Sequence, residues 1–409
     1  MKSQLIERIF AETAYVRMGG SDAELRAANY LKDICEELGL DAHLEDFEVQ
    51  MADMKKATLT VDGKEIECKG YFCAGSGEIE APLYYLTSDD KYSLSCCRGN
   101  IVMIDGYLGA WRYRDMVENG AVGFITYDGN VNFADHDIDQ RELRAAAVGD
   151  GAKILGVNIN AKDAVELINT EVKMAKITID QEEYVGKSHN VVVELPGEID
   201  EQIVFTAHYD STSLSQGAYD NMSGCVGLIG MAEHFSKNPH RYGMKFIFCG
   251  SEERGLLGAK AFCEAHEEEL KKTVLCINLD MIGCIMGKFI ACATADNSLV
   301  SYVSYLGDEL GFQVKANQDV YSSDSTPFAD KGVPAISFAR LAGGNLAPIH
   351  NSYDTKAVMK TEHMQKDIAF ITAFASRMAN AVHCPVPRVM PDNMKEKLDE
   401  YLLRKRKKA

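Results

Sequence analysis

No stretch of this 409-residue sequence reaches the ~20 consecutive apolar residues that a membrane-spanning helix needs. The opening "MKSQLIERIFAETAYVRMGG" lacks the apolar core of a signal peptide, because Glu7, Arg8 and Glu12 interrupt it. Paired C-x-x-C spacings are missing as well, although the chain has 12 cysteines. Cys249, Cys263, Cys276 and Cys284 sit in apolar contexts, where cysteine packs as a small hydrophobe. These absences argue against a cysteine metal site. They lead to the expectation of a cytoplasmic protein with free thiols and no membrane partner. Positive charge is also scarce. With 43 Lys and Arg against 61 Asp and Glu, the net charge of -18 argues against a nucleic-acid partner, which needs a basic face. Peptide amino groups and divalent cations stay compatible with it.

A chain of this length exceeds what a single core usually organises, so two domains or one domain with a large insertion is expected. "SDAELRAANYLKDICEELGL" (21–40) opens with Ser21 and Glu24 in capping-box spacing. Leu25, Ala28, Leu31, Ile34, Cys35 and Leu38 then recur every three or four residues, which predicts an amphipathic helix ended by Gly39. From Met51 the texture changes to short β-like runs such as "NIVMIDG" and "AVGFITYDG" between Gly, Asp and Asn turns, with one helix expected at "AWRYRDMVENG". From residue 187 apolar strands ("QIVFTAHYD", "MKFIFCGSEE", "VLCINLDMIG", "VPAISFAR") alternate with helical stretches. That alternation predicts an α/β fold with a mostly parallel, twisted sheet and helices on both faces. The expected organisation is a catalytic domain in two parts, 1–48 and 187–385, interrupted by a smaller β-rich insertion at 49–186. A tail at 386–409, expected to be helical, follows.

The polar exceptions to the apolar pattern fall at strand ends. "FTAHYDS" offers His208 and Asp210, "GAYDNMSG" offers Asp220, "GSEERG" offers Glu252 and Glu253, and "INLDMIG" offers Asp280. "APIHNSYDT" adds His350 on a loop. Singly each is weak, since strand-end Asp residues often cap helices and lone His residues are often structural. Together they lie at the one edge where open α/β sheets bind ligands. So many carboxylates cannot stay ionised side by side without positive charge between them, and two divalent cations would supply it. A mixed nitrogen and oxygen donor set suits zinc, with manganese or cobalt as alternatives. Asp220 is able to bridge two ions. One glutamate of the pair is able to serve as a ligand while its neighbour acts as general base on an activated water.

"HYDS", "GAYDNMSG", "GSEERGLLGA", "NLDMIG", "SSDSTPF", "KGVPAISF" and "HNSYDT" follow one another through most of 187–385. In that order they resemble the co-catalytic zinc exopeptidase family that contains bacterial leucyl aminopeptidases, aminopeptidase Y and glutamate carboxypeptidase II. The resemblance implies that His208 and Asp280 hold one zinc, that Glu253 and His350 hold the other, and that Asp220 bridges them. It implies Glu252 as the general base and Asp210 as the residue that orients His208. Peptides are then the substrates, cut from the N-terminus. The insertion, with "VENGAVGFITYDG" and "ILGVNINAKDAVEL", is similar to a protease-associated domain, a kind that carries no catalytic groups.

One motif departs from the family. Many relatives read Ser-Asp-His-x-x-Phe where this chain has Ser323, Asp324, Ser325, Thr326, Pro327 and Phe328, which leaves substrate orientation around Tyr321–Ser325 open. Three rival functions share the pattern. A carboxypeptidase or dipeptidase acting on short peptides or N-acyl amino acids would need a cation for the substrate carboxylate, with Arg340 as the candidate. A glutaminyl cyclase would use a single zinc, and a non-catalytic relative would have lost ligands. The oligomeric state, homo-oligomer included, is open.

Overall fold

After residue 187, alternate side chains along the strands go to two different apolar layers. Ile203, Phe205 and Ala207 join Phe246, Phe248, Leu275 and Ile277 in one. Val204, Ile247, Cys249 and Cys276 join the other. A strand buried at both parities has no solvent face, so helices must cover it on both sides. Helices Asp22–Glu37, Ser223–Phe235, Asn297–Leu310 and Thr361–Ala379 contribute to the first layer. Leu257–Ala265, Ser325–Asp330 and Asp392–Tyr401 contribute to the second. The computed structural model describes residues 2–105, 107–132, 137–169, 173–343 and 346–407. Two compact units emerge: residues up to Val49 with Lys187–Lys405, and Gln50–Gly186 with the last residues from Arg406.

In the larger unit four central strands run parallel in the order Gly243–Cys249, Gln202–His208, Thr273–Leu279 and Ala335–Leu341. The α/β architecture with a mostly parallel sheet is thus present, with antiparallel flanks. Val191–Leu195 pairs antiparallel with Gly243–Cys249 on one side. Lys288–Thr294 pairs antiparallel with Ala335–Leu341 on the other. This second flank is absent from the strands expected from sequence. It follows Leu279 by a short connection without a helix, and such a link is too short for a parallel crossover.

The helix Asp22–Glu37 carries half of the expected capping box. The Ser21 hydroxyl accepts from the Glu24 amide at 3.2 Å. The Glu24 carboxylate, which the box would send back to the Ser21 amide, turns elsewhere. It accepts from the Gly20 amide at 2.6 Å, the Ser188 hydroxyl at 2.8 Å and the Ser251 amide at 2.7 Å.

The smaller unit has its own parallel core. Leu83–Leu86, Ile101–Ile104, Gly123–Asp128 and Leu155–Asn160 lie side by side in the same direction. Ile101 and Met103 face one apolar layer, Val102 and Ile104 the other. Besides the expected helix, seen at Ala110–Glu118, helices occur at Lys91–Ser95, Ala145–Val148 and Ala161–Ile168. The unit is β-rich, with more helix than the single one expected. Helices of four to eight residues leave little periodicity among turn-rich segments.

Asp392–Tyr401 in the tail is a packing helix, since Met394 and Leu398 enter the second layer of the larger unit. Lys408 and Ala409 lie outside the described residues. Leu398→Ala is expected to cost about 2–4 kcal/mol in denaturant unfolding, and the exposed Lys395→Ala less than about 0.5 kcal/mol. Equal, negligible effects would contradict the packing role of this helix.

Candidate metal centre and active site

The carboxyl ends of the central strands deliver the polar residues to one place. His208 is the last residue of its strand, and Asp210 follows in the next turn. After Cys249 the chain turns through Gly250 and Ser251 into Glu252 and Glu253. Asp280 directly follows Leu279, and His350 stands on the loop after Ala335–Leu341. Ser251, Met281 and His350 all adopt left-handed backbone, with φ of 53°, 61° and 60°. For residues with a side chain this costs on the order of 1–3 kcal/mol each, so the surroundings must impose it. At Ser251 the clamp is visible: Glu24 takes both its amide and its hydroxyl.

All seven sequence-predicted residues are brought together. His208, Asp220 and Asp280 offer ligand atoms that all lie within 4.8 Å of one another, and so do Asp220, Glu253 and His350. Asp220 belongs to both groups. Its Oδ1 is 3.1 Å from His208 Nε2 and its Oδ2 is 3.2 Å from His350 Nε2. His350 Nε2 is also 3.2 Å from Glu253 Oε1, and Asp280 Oδ1 is 3.8 Å from His208 Nε2. Glu252 Oε2 lies 3.8 Å from His208 Nε2. Asp210, fully buried, approaches the other imidazole nitrogen, Nδ1, at 3.4 Å. Its carboxylate also accepts the backbone amides of Glu252 at 2.9 Å and Glu253 at 3.1 Å. One aspartate thus stands against the imidazole and holds the backbone of the glutamate pair.

The charges strongly perturb one another. Burial alone would lower the proton affinity of His208, but Glu252 and then Asp210, Asp220 and Asp280 outweigh it and raise it well above the usual histidine range. Half-exposed His350 moves up too, as Asp220 and Glu253 overcome its desolvation. Burial would raise Asp220, yet hydrogen bonds from His208 and His350 hold it well below the usual carboxylate range. Glu252 is pushed well above that range, by burial first and by Glu253, Asp324 and Asp280 against the pull of His208. Among the described residues, Asp220 and Asp280 find imidazoles and no lysine or arginine as ion-pair partners. Asp280 Oδ1 is moreover buried without a hydrogen bond. A buried acceptor left over in a cluster of acids fits a cation ligand. The donor set therefore suits two divalent ions, one in each group.

Several residues escaped the sequence reading. Asn221 ties the Asp220 loop to the strand that delivers Asp280: its Nδ2 donates to the Leu279 carbonyl at 2.9 Å, and its Oδ1 accepts from the Met281 amide at 3.0 Å. An asparagine beside a ligand carries no local signal of such a role. Ser325, in the motif that departs from the family resemblance, joins Ser323 and Ser337 in a buried triangle of hydroxyls 2.9–3.0 Å apart. Arg340 is no free cation. Its guanidinium grips the buried Asp367 at 2.5 Å and lies over the rings of Phe289 and Phe312. The pair is largely buried, with the Arg340 side chain 18% exposed and that of Asp367 0%.

An α/β sheet with two imidazoles and four carboxylates at its carboxyl edge defines the class of co-catalytic metallo-exopeptidases. Residues 190–375, within the larger unit, match the family model described as peptidase family M28. Aminopeptidase YwaD of Bacillus subtilis (strain 168) is 27% identical over 342 residues, which cover 79% of this chain and 71% of that protein. Among solved structures, BSAP, a zinc aminopeptidase from Bacillus subtilis, superposes with a TM-score of 0.77 at 21% identity, covering 94% of this chain and 97% of that one. An Acidobacteriales bacterium glutaminyl cyclase is a more distant likeness, with a TM-score of 0.52 at 15% identity over 91% of this chain and 93% of that one. Both structural likenesses are likenesses of fold.

Zinc binds neutral imidazole, so protons compete with it wherever histidine proton affinity is raised. As pH rises toward those raised values the competing protons leave, so zinc affinity is expected to increase with pH and binding to release protons. Calorimetric titration in buffers of different ionisation enthalpy, between about pH 6 and pH 8, measures both. Affinity independent of pH, with no proton release, would contradict this site.

Proposed function

We propose that this chain is a zinc-dependent aminopeptidase that removes N-terminal residues from peptides. The observation that carries the reading is the sharing of Asp220 by two ligand groups, with the partly buried Glu252 beside them. His208 and Asp280 would hold one ion, Glu253 and His350 the other, and Asp220 both. When bound, the ions supply Lewis acidity toward water and the peptide carbonyl. Glu252 takes a proton from the attacking water, a role its raised proton affinity favours, and returns it to the leaving amine. Asp210 holds the His208 ring and the glutamate backbone in register for that transfer. The acidic surroundings favour a substrate's free α-ammonium group, which keeps the cut terminal.

The name of YwaD as an aminopeptidase and of BSAP as a zinc aminopeptidase supports the same reading. A carboxypeptidase has less support, since Arg340, its sequence-level anchor for a carboxylate, is held by Asp367. A glutaminyl cyclase with a single zinc would leave the second ligand group without a purpose. For the smaller unit, its parallel sheet supports a protease-associated-like module.

Glu252→Gln should lower kcat by about 10²–10⁴-fold with zinc content unchanged. The wild-type chain should cleave aminoacyl substrates but not their N-blocked counterparts. Equal cleavage of both, or full activity in the variant, would overturn the reading.

A further inference from the structure

We infer that Arg17 and Asp354 form a charge clamp that positions the Asp220 loop for metal binding; the inference rests on the reading that Asp220 bridges two ions. Arg17 is completely buried. Each hydrogen bond of its guanidinium goes to a backbone carbonyl: Nε to Tyr209 at 2.8 Å, Nη2 to Gly217 at 3.0 Å, and Nη1 to Thr13, Tyr15 and Gln216 at 2.7, 2.9 and 2.5 Å. Three of these acceptors lie in the segment that runs from His208 to Asp220. The backbone of Arg17 extends the contact, donating to the Ser211 hydroxyl at 2.9 Å and accepting the Ser211 amide at 3.1 Å.

Asp354 grips the same segment with the opposite charge. It too is fully buried. Its Oδ1 accepts from the Tyr219 amide at 2.7 Å, and its Oδ2 from the Asp220 amide at 3.2 Å and the Ser215 hydroxyl at 3.1 Å. The Ser215 oxygen in turn accepts the Gly217 amide at 2.7 Å. Carbonyls of the loop are thus drawn to a cation and its amides to an anion, which fixes both ends of the turn before Asp220. Gly217 makes the fit feasible. Its φ is 54°, and a Cβ there would stand 2.7 Å from the Asp220 carbonyl and 2.8 Å from Arg17 Nη2. Asp354 also lies four residues after His350, so the anchor that holds Asp220 belongs to the loop of a ligand to the second ion.

A buried charge on neutral backbone dipoles is costly unless every donor or acceptor is matched, so it enforces one loop geometry rather than adding generic stability. Neither residue faces the cluster as a ligand, and both act through Asp220. They are positioning residues.

The test uses the full-length chain and zinc itself. Arg17→Lys keeps the charge but loses the fork, and Asp354→Asn turns an NH2 group toward a backbone amide. Both are expected to keep the wild-type circular dichroism. Each should weaken zinc binding by about 10–100-fold in competition with a chromophoric chelator. At limiting zinc kcat should fall more than KM rises, and excess zinc should restore it. The double variant should lose less than the product of the two single losses, because both grip one loop. Folded variants with zinc affinity within about twofold of wild type would overturn the clamp, since loss of a contact that orients a ligand typically costs at least about tenfold in metal affinity. Should either fail to fold, Ser215→Ala decides: a several-fold loss of zinc affinity supports the clamp, and none overturns it. A wild-type chain that binds no zinc would instead overturn the functional reading beneath it.

Discussion

Mutual repulsion among Asp220, Asp280, Glu252 and Glu253 is the constraint on which the larger unit depends. Four carboxylates gathered at one buried edge are unstable alone, and two imidazoles offset only part of their charge. Their separation is set by elements that cannot relax. Each group hangs from the end of a strand buried on both faces or from a loop tied to one, so the acids stay close. The left-handed residues Ser251, Met281 and His350 belong to the same logic, since backbone strain persists only where packing and hydrogen bonds enforce it.

Support for this edge comes from far away in sequence. Glu24, in the first long helix of the larger unit, holds the turn that precedes Glu252. Asp210 spans His208 and the glutamate pair. Asn221 locks the Asp220 loop against the strand that delivers Asp280. The recurring device is a buried polar side chain answering backbone amides or carbonyls of a ligand-bearing loop. Such contacts orient ligands without touching a metal, and their loss is felt at the metal.

Much of this was legible in the sequence. Strands apolar at both parities announced a sheet covered on two faces, and the polar residues that ended them marked its carboxyl edge. His208, Asp210, Asp220, Glu252, Glu253, Asp280 and His350 could be named because each interrupts an apolar run or follows one in a family-like order. What stayed hidden depends on long-range pairing. The strand Lys288–Thr294 is short and returns without a helix, so alternation of elements does not reveal it. Glu24 reads as a capping residue from its local spacing, and only the fold shows that its carboxylate serves Ser251. Arg340 reads as an available cation until Asp367 is seen beside it.

The central claim is that two cations, shared through Asp220, reconcile this cluster. Anomalous diffraction at the zinc absorption edge from crystals of the zinc-loaded chain tests it most directly. The account predicts two peaks per chain, one among His208, Asp220 and Asp280 and one among Asp220, Glu253 and His350. A fully occupied crystal with a single peak, or with none among these residues, would contradict it.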